Sequence, residues 1–242
     1  MKRNYSLIIG LTLTLLFLLV AVAGATIAPY DPTQRFTDII KANGNTDIPS
    51  VRPIAPFVLD MFPLGTDHVG RDLLSRLLWA VRPTMITCVA VVLARLLIGL
   101  PLGVLSGWLS DQFWGGAIKI ITSVLISIPS LILALALIAL SEERSLWVFI
   151  LVLGFIGWPD FAMFYQNQTA TLRQQGFVES SFALGSSHLA VLWRHVLPQF
   201  WSTLPTLLAF ELSAVLLLMA ELGFLGIFLG NGLIVYGADP NS

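Results

Sequence analysis

Five blocks of apolar residues, each about long enough to cross a bilayer, restrict this chain more than any other feature. The first covers residues 7–28. At 1.5 Å per helical residue, about twenty residues span the ~30 Å of hydrocarbon in a membrane. A signal-peptide core is shorter, about 7–15 residues. Ala21-Val22-Ala23 leaves cleavage open, but the favoured reading is an uncleaved span with Lys2 and Arg3 holding the N-terminus in the cytoplasm. Further spans are predicted at about 84–105, 117–140, 146–165 and 203–229. Only 11% of residues are charged and 56% are hydrophobic, against about 25% charged in a soluble domain. The fold class is therefore all-α, a polytopic membrane bundle. A net charge of −1 offers no basic field for nucleic acid.

The segments between the blocks are punctuated. Pro29 and Pro32, flanking Tyr30-Asp31, stop the first helix. Residues 33–62 read as an aqueous loop outside the cell, with a turn at Asn43-Gly44-Asn45. Residues 66–80 are expected to form a separate amphipathic helix on the outer membrane surface, capped by Thr66 or Asp67. Leu73, Leu74, Leu77 and Leu78 would occupy one face, with Asp72 and Arg76 on the other. These parts make an N-terminal region, 1–83, ahead of a core, 84–242. Within the core, residues 107–116 and Ser141-Glu142-Glu143-Arg144 are turns. Pro129 lies inside the third span, Gly157-Trp158-Pro159 breaks or kinks the fourth, and residues 231–242 form a polar tail.

One polar stretch interrupts the lipid-like pattern: VESSFALGSSHLAVLWRHVLP, residues 178–198. It reads as helix, glycine, helix. Phe177, Val178, Ser181 and Phe182 share helical spacing, and Glu179 stands near the helix N-terminus, where the dipole favours a carboxylate. Gly185 permits a reversal, and Ser186 or Ser187 caps the second helix. Leu189, Leu192, Trp193 and Val196 are expected on one face of it, and Pro198 turns the chain toward the fifth span. Pattern alone leaves two readings open, an interfacial linker or an element that docks into a groove on a cytoplasmic protein. The ionisable residues Arg95, Glu211 and Glu221 fall in or near spans and are pathway candidates. Arg95 alternatively faces a partner or snorkels, and Glu221 alternatively sits at the outer interface. Cys88, the lone cysteine, reads as a small buried hydrophobe, with no metal-site spacing around it. The sequence contains no phosphate-binding loop, no His-Glu-x-x-His and no Gly-x-Ser-x-Gly.

Glu179-Ser180-Ser181, Gly185 and His195-Val196-Leu197-Pro198 resemble, without a gap, the Glu-Ala-Ala loop of permease subunits of ABC importers. Serine replaces both alanines and keeps the small size. The run from Pro63 to Arg76, PLGTDHVGRDLLSR, is similar to the segment before the second span in dipeptide, oligopeptide and nickel permeases. Shorter likenesses occur at Ala28–Pro32, Ile128-Pro129-Ser130, Gly157-Trp158-Pro159 and Phe224-Leu225-Gly226. The resemblance implies a bacterial-type inner-membrane importer subunit that works with a second permease, two cytoplasmic ATPases and an extracytoplasmic binding protein. ATP and magnesium would reside on the ATPases, with no cofactor in this chain. It assigns ATPase docking to Glu179, Ser180, Ser181, Gly185, His195, Leu197 and Pro198. Gly65, Thr66, Asp67, Gly70, Arg71 and Asp72 would order the outer helix toward the binding protein, local capping being the alternative. Family members resemble a six-span pattern, and the absent sixth span is read as truncation. Peptides are the expected cargo, with nickel or another small solute as alternatives. A secondary transporter or channel without an ATPase would call for inverted repeats or several intramembrane acids, and neither is evident. A membrane scaffold is the remaining class.

Overall fold

The computed structural model describes residues 5–36, 53–141 and 145–227. The turn at Asn43-Gly44-Asn45, the residues Glu142-Glu143-Arg144 and the tail from 228 onward, with the end of the fifth predicted span, lie outside the described residues. Among the described residues the elements are helices, with one isolated bridge between Thr66 and Asp72. Four helices are long and apolar enough to cross a membrane, and a bent pair brings the number to as many as five. The chain divides into two compact units, Met1–Ile86 and Thr87–Ser242.

In the first unit, helix α1 (Tyr5–Ile27) matches the first predicted span. Gly24 lets it approach helix α2 (Leu73–Trp108), since a Cβ there would lie 2.7 Å from the Leu78 carbonyl oxygen. After α1, the backbone N–H and hydroxyl of Thr33 both donate to Asp31, the hydroxyl contributing most, and hold its carboxyl below the usual carboxylate range. Residues 66–72 do not begin a helix. Asp67 Oδ1 accepts from the backbone N–H groups of Val69 and Arg71 at 2.9 Å each, fixing a turn, while its Oδ2 pairs with Arg71 and Arg76. Gly65 and Gly70 have φ of 77° and 81°, the left-handed region that glycine enters without a side-chain clash. Asp72 is the true cap of α2, accepting from Ser75 N–H at 2.8 Å. Ser75 Oγ accepts from Tyr30 N–H, and Phe36 N–H bonds the Gly70 carbonyl, so this turn ties the segment after α1 to the start of α2.

The separate surface helix at 66–80 does not exist, because its residues from Leu73 onward are the first turns of a 36-residue helix that continues through Pro83. The hydroxyl of Thr84 donates to the Ala80 carbonyl beside the proline, the kind of side-chain bond that compensates a proline within a span. Nor do Asp72 and Arg76 form an exposed polar face: they are 2% and 1% exposed.

The second unit is organised around helix α5 (Leu146–Arg173), which begins at a Ser145 cap and runs unbroken through Gly157-Trp158-Pro159. Trp158, Pro159 and Phe161 are all buried, and their packing holds the helix where proline removes a backbone bond. The third predicted span, in contrast, is two helices, α3 (Phe113–Ser127) and α4 (Ser130–Leu140), bent by 89°. Pro129 disfavours the helical region for the residue before it; Ile128 is extended at φ −89°, ψ 125°, and the helix ends there. Along α2, Gly99, Gly103 and Gly107 recur every four residues and abut α5. A Cβ at Gly103 would lie 2.9 Å from Ala162 Cα, and one at Gly107 2.7 Å from Thr169 Cβ. This small-residue seam lets two backbones approach, as in membrane helix pairs generally. Helix α8 (Leu204–Phe224), shorter than the predicted 203–229, turns Val215, Leu218 and Leu222 inward. Cys88 is buried, as the sequence suggests, and donates to Met219 Sδ at 3.4 Å.

Candidate functional site

The polar stretch folds as a hairpin between α5 and α8. Its first helix, α6 (Gly176–Ala183), buries Val178 and leaves Glu179 and Ser180 exposed. Ser180 and Ser181 turn their hydroxyls back to the carbonyls of Gly176 and Phe177 at 2.7 Å, so these short side chains add little bulk to the surface. The helix ends in a Schellman pattern. Gly185 N–H bonds Phe182 O at 2.9 Å and Ser186 N–H bonds Ser181 O at 3.0 Å, with Gly185 at φ 83°. Ser187, rather than Ser186, caps the next helix, α7 (His188–Val191), accepting from Ala190 N–H at 3.3 Å.

Past α7 the expected register fails. The chain widens into a π-turn at Leu192–Val196, closed by a bond from Leu197 N–H to Leu192 O, and then tightens into a 3-10 turn at Leu197–Ser202 with Pro198 near its start. A π-turn inserts one residue per turn. The buried residues are consequently Val191, Val196 and Phe200, while Leu189 and Trp193 are 71% and 69% exposed. Of the expected apolar face, Val196 alone is buried. His195 and Pro198 are exposed and Leu197 is half-buried, so Glu179, Ser180, Gly185, His195 and Pro198 all remain accessible on one short hairpin.

Aromatic and polar contacts fix the opposite side of the hairpin to the helix ends. His188 sits edge-on to Trp108, ring centroids 6.0 Å apart, and 4.8 Å from Phe182. Tyr165 of α5 lies 4.8 Å from Phe200. Arg173, at the end of α5, pairs with Asp111 at 2.8 Å and donates to Ser110 Oγ at 3.0 Å. Between the hairpin and α2 opens an apolar cleft of about 620 Å³, walled by Leu100, Val104, Trp108, Leu192 and Trp193.

The charged residues within the spans form a second constellation. Arg95 and Glu211, 116 residues apart, form a buried ion pair at 2.9 Å, and Arg95 Nε donates to the Leu153 carbonyl at 3.0 Å. Gly157 makes room for the guanidinium, since a Cβ there would overlap it. One side-chain cluster thereby joins α2, α5 and α8. Glu221 is not part of it: it is half-buried in the last turns of α8, about 15 Å along the axis from Glu211 at 1.5 Å per residue. Asp160 of α5, which sequence reading passed over beside Pro159, is exposed and within electrostatic reach of both Arg95 and Glu211. A carboxylate in mid-span was itself a signal. Gly-x-x-x-Gly at Gly99–Gly103–Gly107 was another. Gly65, Thr66, Asp67, Gly70, Arg71 and Asp72 come together in the first unit as the turn before α2. No group of three or more His, Cys, Asp or Glu suited to a metal occurs among the described residues.

Comparison with known proteins adds the family. Residues 99–237, more than half of the chain and including the whole hairpin, match the family described as binding-protein-dependent transport system inner membrane component. The chain belongs to that family. It is a multi-pass permease subunit of an ABC importer, a class that acts with an ATPase and a substrate-binding protein. Relatives of the permease include the di/tripeptide transport system permease protein DppC of Pseudomonas aeruginosa, 28% identical over 222 residues, covering 90% of this chain and 69% of that protein. The glutathione transport system permease protein GsiD of Shigella dysenteriae is 30% identical over 226 residues, 93% of this chain and 70% of that protein. GsiD of Pectobacterium atrosepticum is 31% identical over 165 residues, 68% of this chain and 54% of that protein.

Proposed function

We propose that this permease imports short peptides, that it forms half of the solute path with a second permease, and that the hairpin at 174–202 is the joint gripped by a cytoplasmic ATPase. The peptide assignment rests on the relatives, whose names specify dipeptides, di- and tripeptides and glutathione. Two permeases and two ATPases complete the assembly, with ATP and magnesium on the ATPases and a binding protein delivering cargo from outside. In this arrangement the N-terminus and the hairpin are cytoplasmic, and the turn before α2 faces outward.

A single observation carries the docking role. The hairpin exposes Glu179, Gly185 and Pro198 on its surface while Val178, Val191, Val196 and Phe200 are buried beneath them. Such a two-sided element transmits force: a partner grips one side, and the other side is packed on the ends of α2 and α5. Glu179→Lys reverses a surface charge without touching the packing, and Gly185→Asp places a side chain at φ 83° in open space. Both are expected to insert normally, to lose peptide uptake and to uncouple it from ATP hydrolysis. Normal uptake in both variants, or cross-linking that places the hairpin outside the cell, refutes the assignment.

A further inference from the structure

Helix α5 changes what it shows to its surroundings halfway along. In its first half the exposed side chains include Leu151 and Phe155, as lipid demands. Beyond Pro159 the exposed positions are Asp160, Met163, Phe164, Asn167 and Thr171. Asp160, Phe164, Asn167 and Thr171 follow one another at spacings of four, three and four, a single stripe along the helix. Nine residues separate Leu151 from Asp160, about two and a half turns, so the polar stripe lies on roughly the opposite side from Leu151. Asn167 and Thr171, with Phe164, Gln168 and Leu172, border an open cleft of about 430 Å³. Asp160 is fourteen residues into a 28-residue helix, and so near its middle.

We propose that this stripe lines the aqueous solute path and that Asp160 receives the cationic end of the cargo, an ammonium group. The inference rests on the permease reading and extends it to a residue and a charge. A carboxylate at the middle of a span is costly in lipid, so such groups face water or protein. Asp160 forms no ion pair among the described residues. Its electrostatic neighbour Arg95 is already committed to Glu211 at 2.9 Å. One guanidinium against two carboxylates leaves the three with a net negative charge, which attracts a cation. Seams between membrane helices favour small residues that let backbones meet. Asp160, Phe164 and Asn167 do not have that character, whereas Gly99, Gly103 and Gly107 of α2 do.

The test uses the assembled transporter in native membranes, with single cysteines replacing Leu151, Phe155 or Asn167 and the buried Cys88 left in place. Two water-soluble methanethiosulfonates are compared, one cationic (ethylammonium) and one anionic (ethylsulfonate). Asn167→Cys is expected to react about tenfold faster than the other two, and with the cationic reagent about tenfold faster than with the anionic one, because a charged cleft concentrates its counter-ion. Adding Asp160→Asn is expected to abolish the cationic preference. Equal labelling at 151 and 167 overturns the path. A preference that survives Asp160→Asn overturns the role of the carboxylate. An Asn167→Cys disulfide to the second permease, without labelling, assigns the stripe to a subunit seam and also overturns the proposal. Copurification of the ATPase is scored on each preparation, so a complex that carries its ATPase yet fails to label refutes this inference alone.

Discussion

The buried pair of Arg95 and Glu211 yields an asymmetric prediction. Glu211→Leu strands a guanidinium that is 3% exposed and keeps, among the described residues, the Leu153 carbonyl as its direct hydrogen-bond partner. Arginine stays protonated in proteins, so the charge has no escape, and removing one partner of a buried pair costs about 3–5 kcal/mol. Asp160 acts on Arg95 from a distance and sets the loss toward the lower end of that range. Arg95→Met strands a carboxylate instead, which can take up a proton and become a neutral group. The cost then falls to that of an unsatisfied polar group, about 1–3 kcal/mol. In the double variant two apolar side chains replace the pair, and most of the larger loss is expected to return. For a chain of this size each kcal/mol moves Tm by about 2–4 °C, so a loss of about 3 kcal/mol in Glu211→Leu is expected to lower Tm by roughly 6–12 °C. The assay is thermal unfolding of the four proteins, purified in one detergent and followed by tryptophan fluorescence. Equal losses in the two single variants, or a double variant whose loss is the sum of both, refutes the reasoning.

At the α2–α5 seam, Gly103→Val drives a branched side chain into the Ala162 backbone, and a loss of about 1–3 kcal/mol is expected from overpacking. Gly116→Ala, where a Cβ meets nothing within 4 Å, is expected to be neutral or stabilising; equal Tm losses for the two variants would show that the seam is not tight. Asp72→Ala removes the cap of α2 and its bond to Ser75, with an expected cost of about 0.5–2 kcal/mol. Hydrogen exchange is the measurement for that variant: protection should fall at Ser75 and Arg76 first, and an unchanged pattern there would mean that Asp72 does not cap the helix.

Local chemistry was legible in the sequence and long-range pairing was not. The apolar blocks fall on the four long apolar helices among the described residues, because length and polarity are read directly from local composition. Gly185 was legible for a similar reason, since a Schellman ending is decided within six residues. Pro129 and Pro159 show where local reading stops. Both sit in apolar runs, yet Pro129 ends a helix and Pro159 does not, and the difference is the buried packing of Trp158, Pro159 and Phe161. The π-turn at Leu192–Val196 has the same origin. Burial of Val191 and Val196, five residues apart, overrides the three- and four-residue spacing that the side chains suggest. Arg95 and Glu211 were each visible as costly residues, but nothing in either neighbourhood pointed to a partner 116 positions away.

How the proposed stroke reaches the path follows from the relative stiffness of these joints. Gly107 and Trp108 are adjacent at the end of α2. Gly107 is wedged against Gln166 and Thr169 of α5, and Trp108 packs on His188 of the hairpin. Sliding α2 along α5 would force three glycine contacts apart and pull on the Arg95 pair. Shifting the hairpin against Trp108 disturbs a few aromatic contacts, worth about 0.5–1.5 kcal/mol each beyond their burial. The packing of α5 and α8 on the part of α2 beyond Thr87 is therefore the stiffer joint, and compliance belongs at Gln174 and Thr203, where the chain enters and leaves the hairpin. In the proposed docking role, a motor pulling on Glu179 would move these packed helices together once the slack at the two ends of the hairpin is taken up. On that proposal Asp160, near the middle of α5 and within electrostatic reach of the Arg95–Glu211 pair, would move with these helices.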